Sequence, residues 1–147
     1  MDIEIGKPKT PWWFWLISAV ALLWNLMGVA AFLYDMSMSH EDMVKNYGQV
    51  LADAAAAQPV WVTAAYGVAV FAGALGSLLL LLRKKLAFWL LLISLLCVIL
   101  QQAYSRFATD AMDAVSTANK VMYAMVVIIA IFLVWFARSM TAKRILR

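Results

Sequence analysis

The residues that could do chemistry inside the apolar part of this chain are few, and all of them are uncharged. They are Asn25, Thr63, Tyr66, Gln101, Gln102 and Tyr104. Their amides and hydroxyls could line a small pocket that binds a neutral solute. We favour the other interpretation, in which they join one helix to another, at about 0.6 kcal/mol per bond in membrane proteins. Gln101 and Gln102 are consecutive and point about 100° apart on a helix, so both cannot face one pocket squarely.

Ionisable side chains are confined to the ends of the apolar runs, and this excludes several functional classes. A pump, voltage sensor or proton-coupled exporter needs a charge at depth. Where small four-helix drug exporters carry a carboxylate in their first span, this chain has Asn25. We therefore do not expect an exporter of that kind.

Enzyme and metal signatures are equally scarce. His40 is the only histidine, so no two-histidine zinc motif can form. Cys97 is the only cysteine and lies in an apolar run, where it is expected to pack. His40-Glu41-Asp42 could bind a cation weakly, or it could simply begin a helix capped by Ser39. We expect no enzymatic activity, no cofactor and no metal.

The elements that position these residues are four long apolar runs, and the hydrophobic share of the chain is 66%. Because lipid offers no partner for backbone polar groups, such runs must be helices. The predicted fold is all-α, a four-helix transmembrane bundle forming a single domain over residues 1–147. The predicted spans are residues 12–34, 60–82, 86–104 and 120–137.

The polar interval between the first two spans has a helical pattern of its own. Apolar residues at 43, 44, 47, 50, 51, 54 and 55 fall on one face. This predicts an amphipathic interfacial helix over residues 39–58. A solvated loop with some helix is the alternative.

The second span carries a stripe of small residues, and we expect it to be the packing centre of the bundle. Ala65, Ala69, Gly73 and Ser77 recur every fourth residue, with Gly76 beside them. That spacing lets another helix approach closely. Whether the stripe packs within the chain or between chains is left open by the sequence.

The basic residues predict the orientation. Nine of the 12 Lys and Arg residues, Lys7 among them, lie in the two tails and the 83–85 turn. Most acids, including Asp110, lie in the two longer loops on the other side. By the positive-inside rule both termini are cytoplasmic. The net charge of +4 is placed at span ends, which favours the lipid bilayer as the partner and not nucleic acid.

Two stretches resemble a known group of proteins. The residues P-x-W-F-W…L-W-N-L-M-G, which end at Gly28, and P-V-W-V-T-A-A-Y…V-F-A-G-A-L-G…L-L-L-L-R-K-K (Pro59–Lys85) are similar to small four-span bacterial inner-membrane proteins. The members are uncharacterised and are often labelled "sugar transporter". The similarity covers the first three spans and is weaker in the fourth, and it implies a bacterial inner-membrane location.

Together these features favour a non-catalytic membrane protein that acts through helix packing. It would be an accessory subunit of another membrane protein or would associate with itself, and leucine at Gly73 and Gly76 should then disrupt assembly. The alternative is binding or transport of a small neutral solute. A continuous polar cavity from the outer face to Asn25 would favour the solute.

Overall fold

The computed structural model describes residues 9–108, 113 and 115–147, and these residues form six α-helices and no strand. The helices are α1 (Trp12–Ser37), α2 (His40–Tyr47), α3 (Gln49–Ala57), α4 (Val60–Leu81), α5 (Leu86–Phe107) and α6 (Thr117–Ala142). Lys7 and Asp110, which the orientation argument uses, lie outside the described residues. The predicted all-α, four-span class is confirmed.

Four of the helices, α1, α4, α5 and α6, are long and apolar enough to cross a membrane, so the chain is a multi-pass membrane protein. The largest difference from the predicted spans is in α6, which is longer at both ends. It begins after Ser116, whose hydroxyl accepts a hydrogen bond from the Asn119 amide at 3.3 Å. It continues past Arg138 because a long cationic side chain can reach water from within a helix.

The spans pack in a row, with α4 and α5 at the centre. Helix α4 packs against α1 on one side and α5 on the other, and α5 packs against α6. Successive spans run antiparallel. We call the end with residues 83–85 and 143–147 the basic end, and the opposite end, with α2 and α3, the loop end.

The basic end holds the main buried core. Phe14 of α1 and Phe136 of α6 are both buried, and their rings stack with centroids 5.8 Å apart. Trp13 packs edge-on against Phe136, and Lys143 lies over the Trp13 ring at 5.7 Å. These contacts close the row of helices into a bundle at this end.

Helices α4 and α6 end in the same way at the basic end. Arg83 and Arg144 both adopt a positive φ, of 60° and 59°. After each arginine, the next amide bonds five residues back, from Lys84 to Leu79 at 2.8 Å and from Ile145 to Met140 at 2.9 Å. This is the Schellman motif, which satisfies carbonyls that a helix end leaves unpaired.

The last residues then return to the α4–α5 turn. The Arg147 amide donates to the Arg83 carbonyl at 2.8 Å, and the Lys85 amide donates to the Arg147 carbonyl at 2.9 Å. Ile145 and Leu146 are buried against the core. Residues 144–147 are therefore part of the folded basic end, although the sequence predicts that they form a tail.

The predicted amphipathic segment is helical but consists of two helices and not one. Gly48, with φ of 92° and ψ of 163°, separates α2 from α3. Glycine tolerates this backbone because it has no Cβ. The chain turns there, so the two halves of the apolar face follow the bundle surface separately.

Candidate binding site

A cavity of about 540 Å³ lies in the loop half of the bundle, between α1 and α6, with α4 and α5 behind it and α2 and α3 over it. Its size falls in the range of known small-molecule sites, and most of its lining is apolar. The polar and charged lining residues are Asn25, Asp35, Tyr47, Gln58, Tyr66, Ser94, Gln101, Gln102, Tyr104, Ser105 and Tyr123.

The cavity exists because α1 and α6 meet at only one end. The ring contacts that join the two helices are those of Phe136 with Trp13 and Phe14, at the basic end. Toward the loop end the helices diverge, and every residue from Thr117 to Met125 in α6 is exposed. The gap between them is the open side of the cavity.

Asn25 lies at the deep end of the cavity. Its side-chain nitrogen donates to the Ala21 carbonyl at 2.9 Å and to the Ser77 hydroxyl at 3.0 Å. Its amide oxygen lies against Gly73, where any Cβ would overlap it. Asn25 therefore joins α1 to α4, which is the interhelical bonding proposed for it from the sequence. It also lines the cavity.

The small-residue stripe of α4 is used inside this chain. Ala65, Ala69, Gly73, Gly76 and Ser77 are all buried. A Cβ on Gly76 would lie 2.9 Å from the Leu91 Cγ and 3.2 Å from the Leu91 backbone nitrogen. The Ser94 hydroxyl donates to the Ala69 carbonyl at 2.7 Å. The stripe is thus covered by α1 and α5 and is not a free surface for another chain.

The structure brings five of the six predicted site residues into the cavity wall. They are Asn25, Tyr66, Gln101, Gln102 and Tyr104. Thr63 is not in the cavity wall. Its hydroxyl accepts a hydrogen bond at 2.8 Å from the side chain of Gln58, which does line the cavity.

Some of these polar groups also bond within the protein. The Gln102 side chain donates to the Tyr123 carbonyl at 3.1 Å, which joins α5 to α6. The Ser105 hydroxyl donates to the Gln101 carbonyl at 3.2 Å. Tyr104 packs edge-on against Trp61, with ring centroids 5.4 Å apart. Gln102, like Asn25, therefore lines the cavity and also bonds to a neighbouring helix, whereas the Ser105 bond lies within α5.

Asp35, in the last turn of α1, is a site residue that the sequence analysis misses. The Tyr47 hydroxyl donates to its Oδ1 at 3.1 Å, and the Tyr66 hydroxyl donates to its Oδ2 at 3.4 Å. The predicted first span ended at Tyr34, which left Asp35 in the loop. The available signal was its position at the exact end of an apolar run that lacks other acids.

Tyr47 connects the loop helices to this carboxylate. Burial, and then the negative charge of Asp35 and the hydrogen bond to it, raise the pKa of Tyr47 above its ordinary value of 10.0. The phenol therefore stays protonated and remains a donor near neutral pH. Met43, Leu51 and Ala54 line the cavity beside Tyr47. The apolar face of the loop helices is directed into the site.

The His40-Glu41-Asp42 segment forms a helix start. The Ser39 hydroxyl accepts a hydrogen bond from the Asp42 amide at 3.2 Å, which caps α2. His40 Nε2 lies 3.2 Å from the Asp53 carboxylate of α3. Over residues 9–108, 113 and 115–147, no group of three or more His, Cys, Asp or Glu side chains is arranged to hold a metal ion.

No family model, no curated protein and no solved structure matches this chain.

Proposed function

We propose that this membrane protein binds a small amphipathic molecule in the cavity between α1 and α6, with the apolar part near Asn25 and the polar part near Asp35. The observation that carries the proposal is the cavity itself, which continues from the loop end to Asn25. A bundle whose interior is filled by side chains would lack such a cavity. Its lining is mostly apolar and not the continuous polar cavity expected for a neutral solute, and this favours a ligand with a large apolar part.

The lining is arranged for a molecule with two unlike ends. Its deep part is walled by apolar residues such as Leu91, Ile129 and Leu133. Asp35 and the hydroxyls of Tyr47 and Tyr66 gather at the loop end. Few, convergent polar groups on an apolar wall are typical of small-molecule sites.

The open side of the cavity supplies an entry route from lipid. Met27, in the middle of α1, lines the cavity and is 65% exposed. Ala31, one turn further along α1, also lines it and is exposed. A molecule dissolved in the bilayer can enter sideways at this point without crossing water.

The orientation proposed from the sequence puts the basic end in the cytoplasm of a bacterium and the loop end outside its inner membrane. The described lysines and arginines support it, since seven of them lie in the 83–85 turn and at residues 138–147. The cavity would then face the exterior, and the packed core at Phe14 and Phe136 would separate it from the cytoplasm. Transport would require that core to rearrange, so binding is the function that the geometry supports.

A second candidate is the accessory or self-associating role. The gap between α1 and α6 favours it, because a helix of another chain could close the bundle there. The buried stripe of α4 does not favour it, because its partners are α1 and α5 of the same chain. Association would therefore involve the cavity side and not Gly73 or Gly76.

The test compares two tryptophan substitutions on adjacent residues of α1. Ala31 lines the cavity, whereas Ala30 is exposed and does not. The probe is N-phenyl-1-naphthylamine, a neutral apolar dye, titrated against the purified protein in detergent. We expect saturable binding of about one dye per chain in the wild type and in Ala30→Trp, and at least tenfold weaker binding in Ala31→Trp.

Light scattering on the same samples separates the two candidates. Dye binding by a monomer that Ala31→Trp abolishes supports the solute site. A dimer that Ala31→Trp dissociates, with no saturable dye binding in any variant, supports association and contradicts the solute site. Equal dye binding in both variants would also contradict it, because the dye would then not be in the cavity.

A further inference from the structure

We infer that the polar end of this site selects a cationic head group, so that the ligand is an amphiphile bearing an ammonium group bound at Asp35, with one alkyl chain in the cavity. The inference rests on the proposed binding function and deepens it by naming the ligand class. The sequence predicts a neutral solute because the six predicted site residues are all neutral. Asp35 is not one of those six.

The wall of the cavity carries a negative charge. Asp35 is the only charged side chain among its described lining residues. The cations of the loop end are placed elsewhere. Lys45 lies 3.7 Å from Glu41 on α2, and Arg106 and Lys120 line an adjoining pocket of about 270 Å³ together with Asp113, on the far side of Gln102 and Tyr123, which line both. The wall of the main cavity therefore carries a negative charge without a lysine or arginine in the same wall to neutralise it.

The Asp35 carboxylate can accept more hydrogen bonds than the two tyrosines donate to it. Two ionised oxygens offer about four acceptor positions. Tyr47 uses one position on Oδ1, and Tyr66 uses one on Oδ2. Both oxygens keep a further acceptor position, and Asp35 is only partly buried. The two phenols fix the orientation of the carboxylate and leave it able to accept from an N–H donor.

Aromatic side chains line the cavity together with Asp35. Tyr47, Tyr66 and Tyr123 line the same cavity as Asp35. The Tyr66 ring is held edge-on by Phe32, with centroids 5.0 Å apart, and Phe32 in turn packs on Gly67. Aromatic rings beside a carboxylate are the surroundings that alkylammonium groups prefer. An anionic head group would instead be repelled by Asp35.

The length of the site defines the apolar part. Ten residues of α1 separate Asn25 from Asp35, which is about 15 Å along a helix. An extended alkyl chain of moderate length fits this distance with its head at Asp35. The probes are therefore dodecylammonium, its neutral analogue dodecanol and its anionic analogue dodecanoate, each used to displace N-phenyl-1-naphthylamine at pH 7.

The expected order of affinity in the wild type is dodecylammonium over dodecanol, with dodecanoate weakest. We expect Asp35→Asn to weaken dodecylammonium about tenfold and to change dodecanol by less than twofold. The attraction between two opposite charges near a protein surface corresponds to a change in affinity of that order or larger. Ala31→Trp should weaken both, because it fills the cavity itself. Tyr34→Phe, next to Asp35 but outside the cavity wall, is the control and should change neither.

The failures of the two proposals are distinguishable. If dodecanol and dodecylammonium bind equally and Asp35→Asn alters neither, the ammonium site is wrong and the cavity remains a binding site. If no probe displaces the dye, or if Ala31→Trp has no effect on any probe, the binding function itself is contradicted.

The ammonium group could belong to a free amine or to a lipid head group, and the lipid composition separates the two. The dodecylammonium titration is repeated in nanodiscs of phosphatidylglycerol with and without phosphatidylethanolamine. Competition by phosphatidylethanolamine that disappears in Asp35→Asn assigns the site to a lipid ammonium. Unchanged affinity assigns it to a free amine, and competition that persists in Asp35→Asn contradicts Asp35 as the head-group site.

Discussion

The basic end and the loop end of this bundle are made from the same helices but are packed in opposite ways. At the basic end α6 buries Leu133, Phe136, Ala137 and Met140, whereas at the loop end its residues Thr117–Met125 are all exposed. Phe136 alone contacts rings of both α1 and α6. The ring contacts of Phe136 join α1 to α6 at the basic end. At the loop end the cavity lies between the same two helices.

The comparison teaches how a four-span bundle can combine a fixed core with a binding site. In lipid there is little hydrophobic drive between helices, so close packing and interhelical bonds must hold them. Helices α4 and α5 meet through small residues along their length and form a continuous wall. Helices α1 and α6 are tied to that wall, and to one another only at the basic end, so their loop ends are free to diverge.

The largest effect is expected from filling the one position on which both ends depend. Gly73→Leu would place a side chain where the Asn25 amide lies, with the Ser94 hydroxyl 3.1 Å from the new Cβ. Since both of these side chains are held by hydrogen bonds and cannot move aside easily, α1 and α5 would be pushed from α4. We expect no folded protein after extraction in mild detergent, measured by size-exclusion profile and thermal unfolding.

The matched control is Ala64→Leu, which makes the same addition on the exposed face of α4. It should leave both the profile and the unfolding temperature near those of the wild type. A folded Gly73→Leu variant with normal dye binding would show that α4 is not the shared wall of the two ends.

The next largest effect should be limited to the basic end. Leu146 is buried in the main core, and Leu146→Ala should lower the free energy of unfolding by about 2–5 kcal/mol, as other buried leucines do. Leu82→Ala, at an exposed leucine of the same end, should cost far less. Chemical denaturation in micelles measures both.

The same pair of variants tests the separation of the two ends. While Leu146→Ala is still folded, its affinity for the dye should equal that of the wild type, because Leu146 does not line the cavity. A loss of affinity without unfolding would mean that the basic end controls the shape of the site, and the comparison between the ends would then fail.

Much of this architecture follows from the sequence because it depends on local and one-dimensional features. Run length and the need to pair every backbone group predict the four spans. A small residue every fourth position predicts where helices approach closely, and Gly73 and Gly76 are buried where that pattern puts them. Asn25, isolated in an apolar run, stands out for the same reason.

What could not be predicted depends on tertiary contacts. The small residues of α4 do not predict which helices cover them. That depends on the order in which the four spans pack. Residues 144–147 look like a solvated tail, yet their backbone pairs with Arg83 and Lys85. Asp35 becomes a site residue only because α2 folds back and brings Tyr47 to it. A break at Gly48 and divergence between α1 and α6 leave no periodic pattern to detect.

The smallest effect concerns the hydrogen bond that holds α2 to α1. The pKa of Tyr47 is raised, so the folded state holds the phenolic proton more tightly than the unfolded state does. The stabilisation is therefore fully present below the unfolded pKa of about 10 and is lost as the pH rises through the higher folded value. For this exposed bond it amounts to about 0.5 kcal/mol. The free energies of unfolding of the wild type and Tyr47→Phe should differ by a constant amount up to about pH 10 and converge above it.

In an Asp35→Asn background the convergence should weaken but persist, because burial is the larger cause of the raised pKa. A difference that stays constant to the highest measurable pH would mean that the folded state does not hold the Tyr47 proton more tightly, and α2 would then not be held at Asp35 over the cavity.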